Sequence, residues 1–334
     1  MRQLIGGAVR TQALYVAAKL GIADHLSLGA RSADELAERT QAHASALRRL
    51  LRFLVVSGVF VEQEDGRFAL NRAAEYLQSG HPRSLRPSAI RAGEGMWSIA
   101  ARLLDAVTTG RTPHEDVHGT TFFERGGEAG FGVRMSSSTA GLPEAFAANE
   151  RVASAARIVD VGGGDGAVLI RLLQWNAQLH GVLFDRPAMI EAARVQVERA
   201  GVGDRCVLFD GDFFEGIPAG GDVYLLSWIL HDWDDEQALR ILRACRDAGA
   251  KTLLIAETLL PARAVAAEST APGLIADVYT LDLQMLLLTG GRERSEGEYR
   301  ALLEQAGFVL ISTAPAAGSP RGASIIEARS EGYE

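Results

Sequence analysis

Apolar residues recur at helical spacing in the first part of the chain and in short strand-like runs in the second, and this change of period divides the molecule. Within residues 3–26, Leu14, Ala17, Ala18 and Ile22 share one helical face, with Gly21 as the break between two short helices. Ser32 and Glu35 have capping-box spacing at the start of SADELAERT, and Ser45 precedes a second helix, ALRRLLRFLVVSG, ended by Gly58. VFVEQEDGRFALN alternates around Asp65-Gly66 and predicts a hairpin. Helix, helix, hairpin is the winged-helix order, so residues 1–90 are expected to form a mainly helical first domain. Residues 91–150 predict a helical connector, broken at Gly110, Pro113, Gly126-Gly127 and Pro143, whose Trp97, Phe122, Phe123, Phe131 and Met135 suit the wall of a ligand pocket.

From residue 157 the period changes. RIVDVG, GVLFD, RCVLFDGD, DVYLLSWIL and KTLLIAET are short apolar runs separated by helical segments, the β-α-β rhythm of a parallel sheet covered on both faces. A long helical stretch, ADVYTLDLQMLLLTGG, a further helix, SEGEYRALLEQAG, and two terminal strands, FVLISTA and ASIIEAR, complete an α/β domain over residues 151–334.

Composition narrows the class. The chain has 334 residues, 47% of them hydrophobic, which suffices for two buried cores and excludes a disordered protein. Its apolar runs fall short of the ~18 residues needed to span a bilayer, and Arg2, Arg10 and Lys19 interrupt the N-terminal segment where a signal peptide is apolar, so a cytoplasmic protein without a membrane partner is expected. The two cysteines, Cys206 and Cys245, lack paired-ligand spacing and argue against structural zinc. The net charge of −8 is uneven: residues 1–90 carry 12 basic against 8 acidic side chains, and the remainder 22 against 34. Arg48, Arg49 and Arg52 on the second helix could touch phosphates, but a buried dimer scaffold would show the same pattern, and the acidic remainder disfavours a nucleic-acid partner.

The glycine cluster of RIVDVGGGDGAVLIRLL carries the first chemistry. Gly162, Gly164 and Gly166 between a strand and a helix permit close approach of a ligand, and Asp185 ends the next strand 19 residues after Gly166, placed to grip two ribose hydroxyls. Gly162, Gly164 and Ala167 also satisfy the dinucleotide pattern G-x-G-x-x-G/A. Asp165 separates the two readings, because it would repel a pyrophosphate but suits S-adenosylmethionine, whose sulfonium and amine are cationic.

In an open parallel sheet, ligands bind beyond the carboxyl ends of the strands. The third strand delivers Asp212-Phe213, the fourth His231-Asp232-Trp233 and the fifth Glu257. Asp212 could accept from an adenine amino group while Phe213 and Trp233 cover opposite purine faces, although aromatics there could equally fill the gap between sheet and helix. Asp234 and Gln237 form another capping pattern. A histidine of near-neutral pKa beside Glu257 has the equipment of a general base, the carboxylate orienting the imidazole and stabilising its charged form. Glu293, flanked by arginines in GGRER, would not be selected by spacing, since such a glutamate is usually a solvated salt-bridge partner.

With the glycine turn, GDFFE, LSWILHDWDDEQ, IAETLLP and GGRER in this order, the chain resembles the S-adenosylmethionine-dependent small-molecule O-methyltransferases, a family that includes caffeate, isoflavone and acetylserotonin enzymes and bacterial tailoring enzymes of aromatic antibiotics. The resemblance covers nearly the full length. It implies a Rossmann-like class I methyltransferase sheet behind an N-terminal winged-helix-like dimerisation domain, an obligate homodimer whose N-terminal helices help close the partner's site, and S-adenosyl-L-methionine converted to S-adenosyl-L-homocysteine with no metal. His231 matches the family's catalytic histidine and Glu257 and Glu293 its two bracketing acids. Gly162, Gly164, Asp185, Asp212, Phe213 and Trp233 match cofactor contacts, whereas Ser227 stands where plant members often carry a lysine. Met135 stands at the place of a substrate-contacting methionine. Trp97, Asp232, Leu281, Gln284 and Met285 are the further expected substrate contacts, and Leu288 shares the helical face of the last three.

The function expected from these residues is methylation of a hydroxyl on a small phenolic or polyketide-like natural product, with His231 as general base. Two other classes remain open on the sequence: a cofactor-binding tailoring protein that hydroxylates or decarboxylates, and a winged-helix regulator.

Overall fold

The computed structural model describes residues 1–126, 139–264 and 272–332, in two compact units, Met1–Leu103 and Leu104–Glu334. In the first, helix Gly7–Lys19 is followed by Gly21 at φ +64°, where the chain turns left-handed into the short helix Ile22–His25. Ser32 and Glu35 close the capping box of helix Ala33–Thr40. The next helix, Ala44–Val56, starts one residue ahead of Ser45, because His43 takes the N-cap position and its ring nitrogen accepts from Ala46 N–H. Strands β1 (Val61–Glu62) and β2 (Phe68–Ala69) pair antiparallel about the Asp65-Gly66 turn. Ala17, Ile22, Leu36, Leu51, Phe60 and Phe68 are buried in one core. Arg48 and Arg52, which a phosphate contact would need, are instead paired with Asp34 and Glu62 at 2.8 Å.

The second unit is built on a mixed sheet. Its strands are β3 (Arg157–Val161), β4 (His180–Asp185), β5 (Cys206–Asp210), β6 (Val223–Ser227), β7 (Thr252–Leu260), β8 (Arg294–Ser295), β9 (Phe308–Pro315) and β10 (Ala323–Ser330). They lie in the order β5-β4-β3-β6-β7-β10-β9, with β8 beside the end of β7. β3 to β7 run parallel, and β10 is antiparallel to both neighbours. Strands buried on both faces need side chains that are apolar throughout, and in β3 Ile158 joins the core of one face and Val159 that of the other. Leu225 and Leu226 divide in the same way in β6. Helices Ala167–Trp175, Pro187–Ala200, Asp235–Asp247 and Glu296–Gln305 cover the faces.

The chain winds outward from β3 through β4 to β5 and then returns to β6 on the other side of β3. Helices following β3 and β6 therefore leave in opposite directions, and a crevice opens beyond the carboxyl ends of these two strands. Among the described residues, no helix is long and apolar enough to cross a membrane.

Leu225 lies at the centre of β6 with no exposed surface. Its replacement by alanine should cost about 2–5 kcal/mol of stability, read as a lower urea midpoint at an unchanged slope for the unfolding of this unit. A midpoint equal to that of the parent would show that the sheet does not pack as described.

Candidate active site

The crevice floor is the glycine turn after β3. Gly162 N–H donates to Phe184 O at 2.7 Å, which folds the turn back on β4. A Cβ on Gly162 would lie 2.4 Å from Ile229 Cδ1, whereas one on Gly164 would have only Met189 Cε nearby, at 3.9 Å. Both have positive φ, which favours glycine at each, and Gly164 leaves an open cradle. Asp185 at the end of β4 accepts from Gly164 N–H at 2.8 Å and from Arg186 N–H at 2.7 Å, and so holds the turn from below. The turn, Asp160, Asp165, Thr139 and Ser227 line one cleft.

Two polar side chains in this cleft are orphaned. Both carboxyl oxygens of Asp160 and the hydroxyl of Ser227 are buried without a hydrogen-bond partner. Burial, with the nearby charges of Asp185 and Asp165, pushes Asp160 up to about 7. Sequence reading passed over Asp160, although an acid two residues ahead of the first glycine was its visible sign. An unsatisfied carboxyl beside an open glycine cradle fits the cationic, aminoacyl part of S-adenosylmethionine better than a phosphate.

The adenine side differs in geometry from a sandwich. Phe213 and Trp233 meet edge to face, with centroids 5.8 Å apart and planes at 89°, so their faces do not oppose each other. Phe123 lies flat on Trp233 instead, at 5.0 Å and 15°, with the Arg186 guanidinium 5.5 Å from its ring centroid and donating to its carbonyl at 2.9 Å. Asp212 is exposed and accepts from Phe214 N–H at 2.8 Å.

Opposite the glycine turn, β6 stops at Ser227, short of the DVYLLSWIL run expected to be strand. Trp228 takes a left-handed conformation, φ +58°, and a 3₁₀ turn follows over Leu230–Asp232. Glu257 on β7 explains the change of course. Its Oε1 accepts from the N–H groups of Ile229, Leu230 and His231 at 3.2, 2.8 and 3.3 Å, drawing three consecutive donors toward one oxygen. The turn presents His231 to Glu293, whose Oε1 lies 2.8 Å from Nδ1, while Glu257 Oε2 lies 3.8 Å from the same nitrogen. The acid that sequence spacing would have passed over therefore touches the imidazole, and the acid expected to orient the ring acts chiefly on its backbone. Asp232 Oδ1 stands 3.8 Å from Nε2 on the other side.

His231, Glu257 and Glu293 are buried, and burial alone would drive the imidazole to its neutral form. The surrounding charges of Glu257, Asp232 and Glu293, with the Glu293 hydrogen bond, outweigh it and raise His231 to about 10. The near-neutral value expected from sequence is thus corrected upward: the surrounding carboxylates favour the imidazolium form. Burial also raises Glu257, against the attraction of His231, and raises Asp232 to about 6. The ligand-type atoms of His231, Glu257 and Glu293 fall within 4.8 Å of one another, as a metal site requires. Nδ1 is already hydrogen-bonded to Glu293, and one Glu257 oxygen is engaged with three N–H groups, so these groups form a proton-holding network as they stand.

Of the expected acceptor contacts, Met285 is buried and Leu281 and Gln284 are half-buried on helix Pro272–Leu288. The same helix carries Asp282, whose Oδ1 accepts from Glu293 N–H at 2.9 Å and ties the helix to the network. Trp97 is 39% exposed in the first unit, and Met135 lies outside the described residues.

A glycine cradle at the sheet crossover, faced by a histidine between carboxylates, is the arrangement expected of a methyl-transfer site. Comparison with known proteins agrees: the O-methyltransferase domain profile matches residues 101–309, and the O-methyltransferase dimerisation domain profile matches residues 2–80. The chain belongs to this O-methyltransferase family. The phenazine O-methyltransferase of Lysobacter antibioticus is 40% identical, over 98% of this chain and 94% of the relative. Aclacinomycin 10-hydroxylase of Streptomyces purpurascens is 34% identical, over 92% and 83%. The solved mitomycin 7-O-methyltransferase has a TM-score of 0.85 at 35% identity, over 98% of this chain and 96% of that one. An O-methyltransferase from neocarzinostatin biosynthesis, solved with S-adenosylmethionine and 2-hydroxy-5-methyl naphthoic acid, has a TM-score of 0.80 at 32% identity, over 96% of each. This O-methyltransferase therefore shares its architecture with relatives over nearly its whole length.

Asp160 supplies a test of the ligand-free cleft. Its pKa lies above the unfolded value, so folding takes up a proton between about pH 4 and pH 7, and stability is lost as pH rises through the folded value. Asp160→Asn should raise the melting temperature at pH 8 by more than at pH 4.5 when no ligand is present. An equal shift at both pH values would mean that the carboxyl is paired.

Proposed function

We propose that this O-methyltransferase methylates a hydroxyl group of a small aromatic natural product, with S-adenosyl-L-methionine as donor and His231 as the general base. The observation that carries the reading is the 2.8 Å contact from His231 Nδ1 to Glu293. With Nδ1–H donating to that carboxylate, Nε2 would be the atom that exchanges a proton with an acceptor. The bound donor supplies a methyl group already activated by its positive sulfur. Asp185 would hold the ribose hydroxyls, Gly162 and Gly164 would admit the nucleoside, and Asp160, Asp165 and Ser227 would face its aminoacyl part. Asp212, Phe213 and Trp233 would serve the adenine, the purine taking the place on Trp233 that Phe123 occupies here.

His231 begins as an imidazolium and must lose a proton before it can take one. A cation held at the neighbouring glycine turn favours that loss by repulsion, the proton leaving from Nε2. The neutral ring then removes the acceptor's hydroxyl proton, worth about 10² to 10⁴ in rate, while Glu293 and Glu257 stabilise the charge that returns to it. Positioning the oxygen in line with the methyl group would supply several kcal/mol more, and Leu281, Gln284, Met285 and Asp232 would serve the acceptor. The dimerisation profile supports a homodimer, in which the N-terminal helices would complete the partner's pocket. Phenazine and naphthoic-acid chemistry among the relatives supports a flat aromatic acceptor. A cytoplasmic location fits this role.

The hydroxylase relative keeps a second reading in view, in which the same cleft performs chemistry other than methyl transfer. Mass spectrometry of the product decides it, since methylation adds one CH₂ and hydroxylation one oxygen. His231→Ala should lower turnover at least a hundredfold and leave calorimetric cofactor affinity within about twofold, whereas Asp185→Ala should weaken cofactor binding tenfold or more. Unchanged turnover in the first variant would remove the general-base role.

A further inference from the structure

The turn that carries His231 is gripped by the segment that also carries Glu293. Arg294, the second arginine of GGRER, has no exposed surface, and its guanidinium is used on all sides. Nη1 donates to Leu230 O and Nη2 to Trp233 O, both at 2.8 Å, and Nε donates to Asp235 Oδ1 at 2.8 Å. The two carbonyls flank the His231-Asp232 pair, so one planar fork spans the whole 3₁₀ turn. Arg292 N–H adds a third contact, to His231 O at 2.9 Å. A Cβ on Gly291 would come within 2.2 Å of the same carbonyl, which leaves no room for the two segments to separate their backbones by a side chain.

We propose that Arg294 is a positioning residue for methyl transfer, fixing the backbone of residues 230–233 so that His231 Nδ1 meets Glu293 and Nε2 faces the acceptor. The inference rests on the assignment of His231 as base. Glu257 collects the N–H groups at the start of the turn and Arg294 collects carbonyls at both of its ends, so the turn is held by opposite charges on opposite sides. Lysine cannot replace the fork, because its donors radiate from one nitrogen and cannot span two carbonyls in a fixed plane. Since Glu293 immediately precedes Arg294, a shift of the guanidinium moves the backbone of the acid and the backbone of the base relative to each other.

The test is R294K in the full-length dimer. Turnover should fall about tenfold or more, with cofactor Kd and acceptor KM within about twofold of the parent, because a misplaced base affects the chemical step. An NMR readout separates this inference from the base assignment. The His231 Nδ1–H proton, identified by its loss in H231N, should be strongly downfield in the parent and should move upfield in R294K as the Glu293 contact loosens. Should R294K not fold, D235N removes the external anchor of the guanidinium and should move the same resonance in the same direction. An unmoved resonance in the folded variant, or turnover reduced only in proportion to the unfolded fraction, would overturn the proposal. A moved resonance alongside full activity of H231A would instead leave Arg294 as the organiser of the turn and remove the base role.

Discussion

The whole second unit is arranged around an imidazole held among carboxylates where water does not reach. Such a cluster is costly in isolation, since each ionised acid loses its hydration and the acids repel one another. It persists because each member meets at least one compensating group, although Glu257 Oε2 and Glu293 Oε2 are buried without a hydrogen-bond partner. Glu257 takes three backbone N–H groups, Glu293 takes the imidazole and Asp232 lies within reach of its far nitrogen. Arg294 places a fully buried positive charge immediately behind the turn. The left-handed Trp228 is a consequence of this economy: a strand continuing past Ser227 would point its N–H groups alternately to either side, and Glu257 could not collect three of them.

The parallel sheet makes the cluster possible by supplying its parts from different strand ends. Glu257 comes from β7, His231 and Asp232 from the turn after β6, and Glu293 and Arg294 from the segment entering β8. Beside them, the glycine turn after β3 and Asp185 from β4 form the ligand cradle. The winding order puts β3 next to β6, so the cradle and the proton-holding network become neighbours through topology alone. Elements on the two sides of the crossover are distant in sequence, and only the register of the sheet brings their ends to one level.

Local chemistry was legible in the sequence wherever a short-range pattern decides the outcome. The capping box at Ser32 and Glu35, the hairpin at Asp65-Gly66 and the alternation of strands and helices after residue 157 depend on neighbours within a few positions. The strand ends could be inventoried for the same reason. Long-range electrostatics was less legible. Nothing within four residues of Glu293 marks it as the partner of His231, 62 positions away, and its arginine neighbours point to a solvated salt bridge. Likewise the ring's high proton affinity arises from three acids on separate elements, so the near-neutral value suggested by His231 and Glu257 alone could not survive the addition of the other two. Phe123, expected in the pocket wall, stacks on Trp233 and is held through its carbonyl by Arg186, which no periodicity connects to it.

On the proposed assignment, the charge balance of the network also connects donor binding to His231. A site with an excess of buried negative charge attracts a sulfonium, and the same excess keeps His231 protonated until a cation arrives. The two effects share one source and cannot be tuned independently: removing an acid would free the imidazole in the absence of ligand but would weaken the field that favours the donor. If His231 is the base, as proposed, neutralisation would proceed in step with the reaction, because methyl transfer discharges the sulfur while the acceptor's proton would return the positive charge to the ring. On this reading the carboxylates serve both halves of the exchange. Asp160 repeats the arrangement on the other wall of the crevice, an orphaned carboxyl whose ionisation becomes favourable when a positive group arrives beside it.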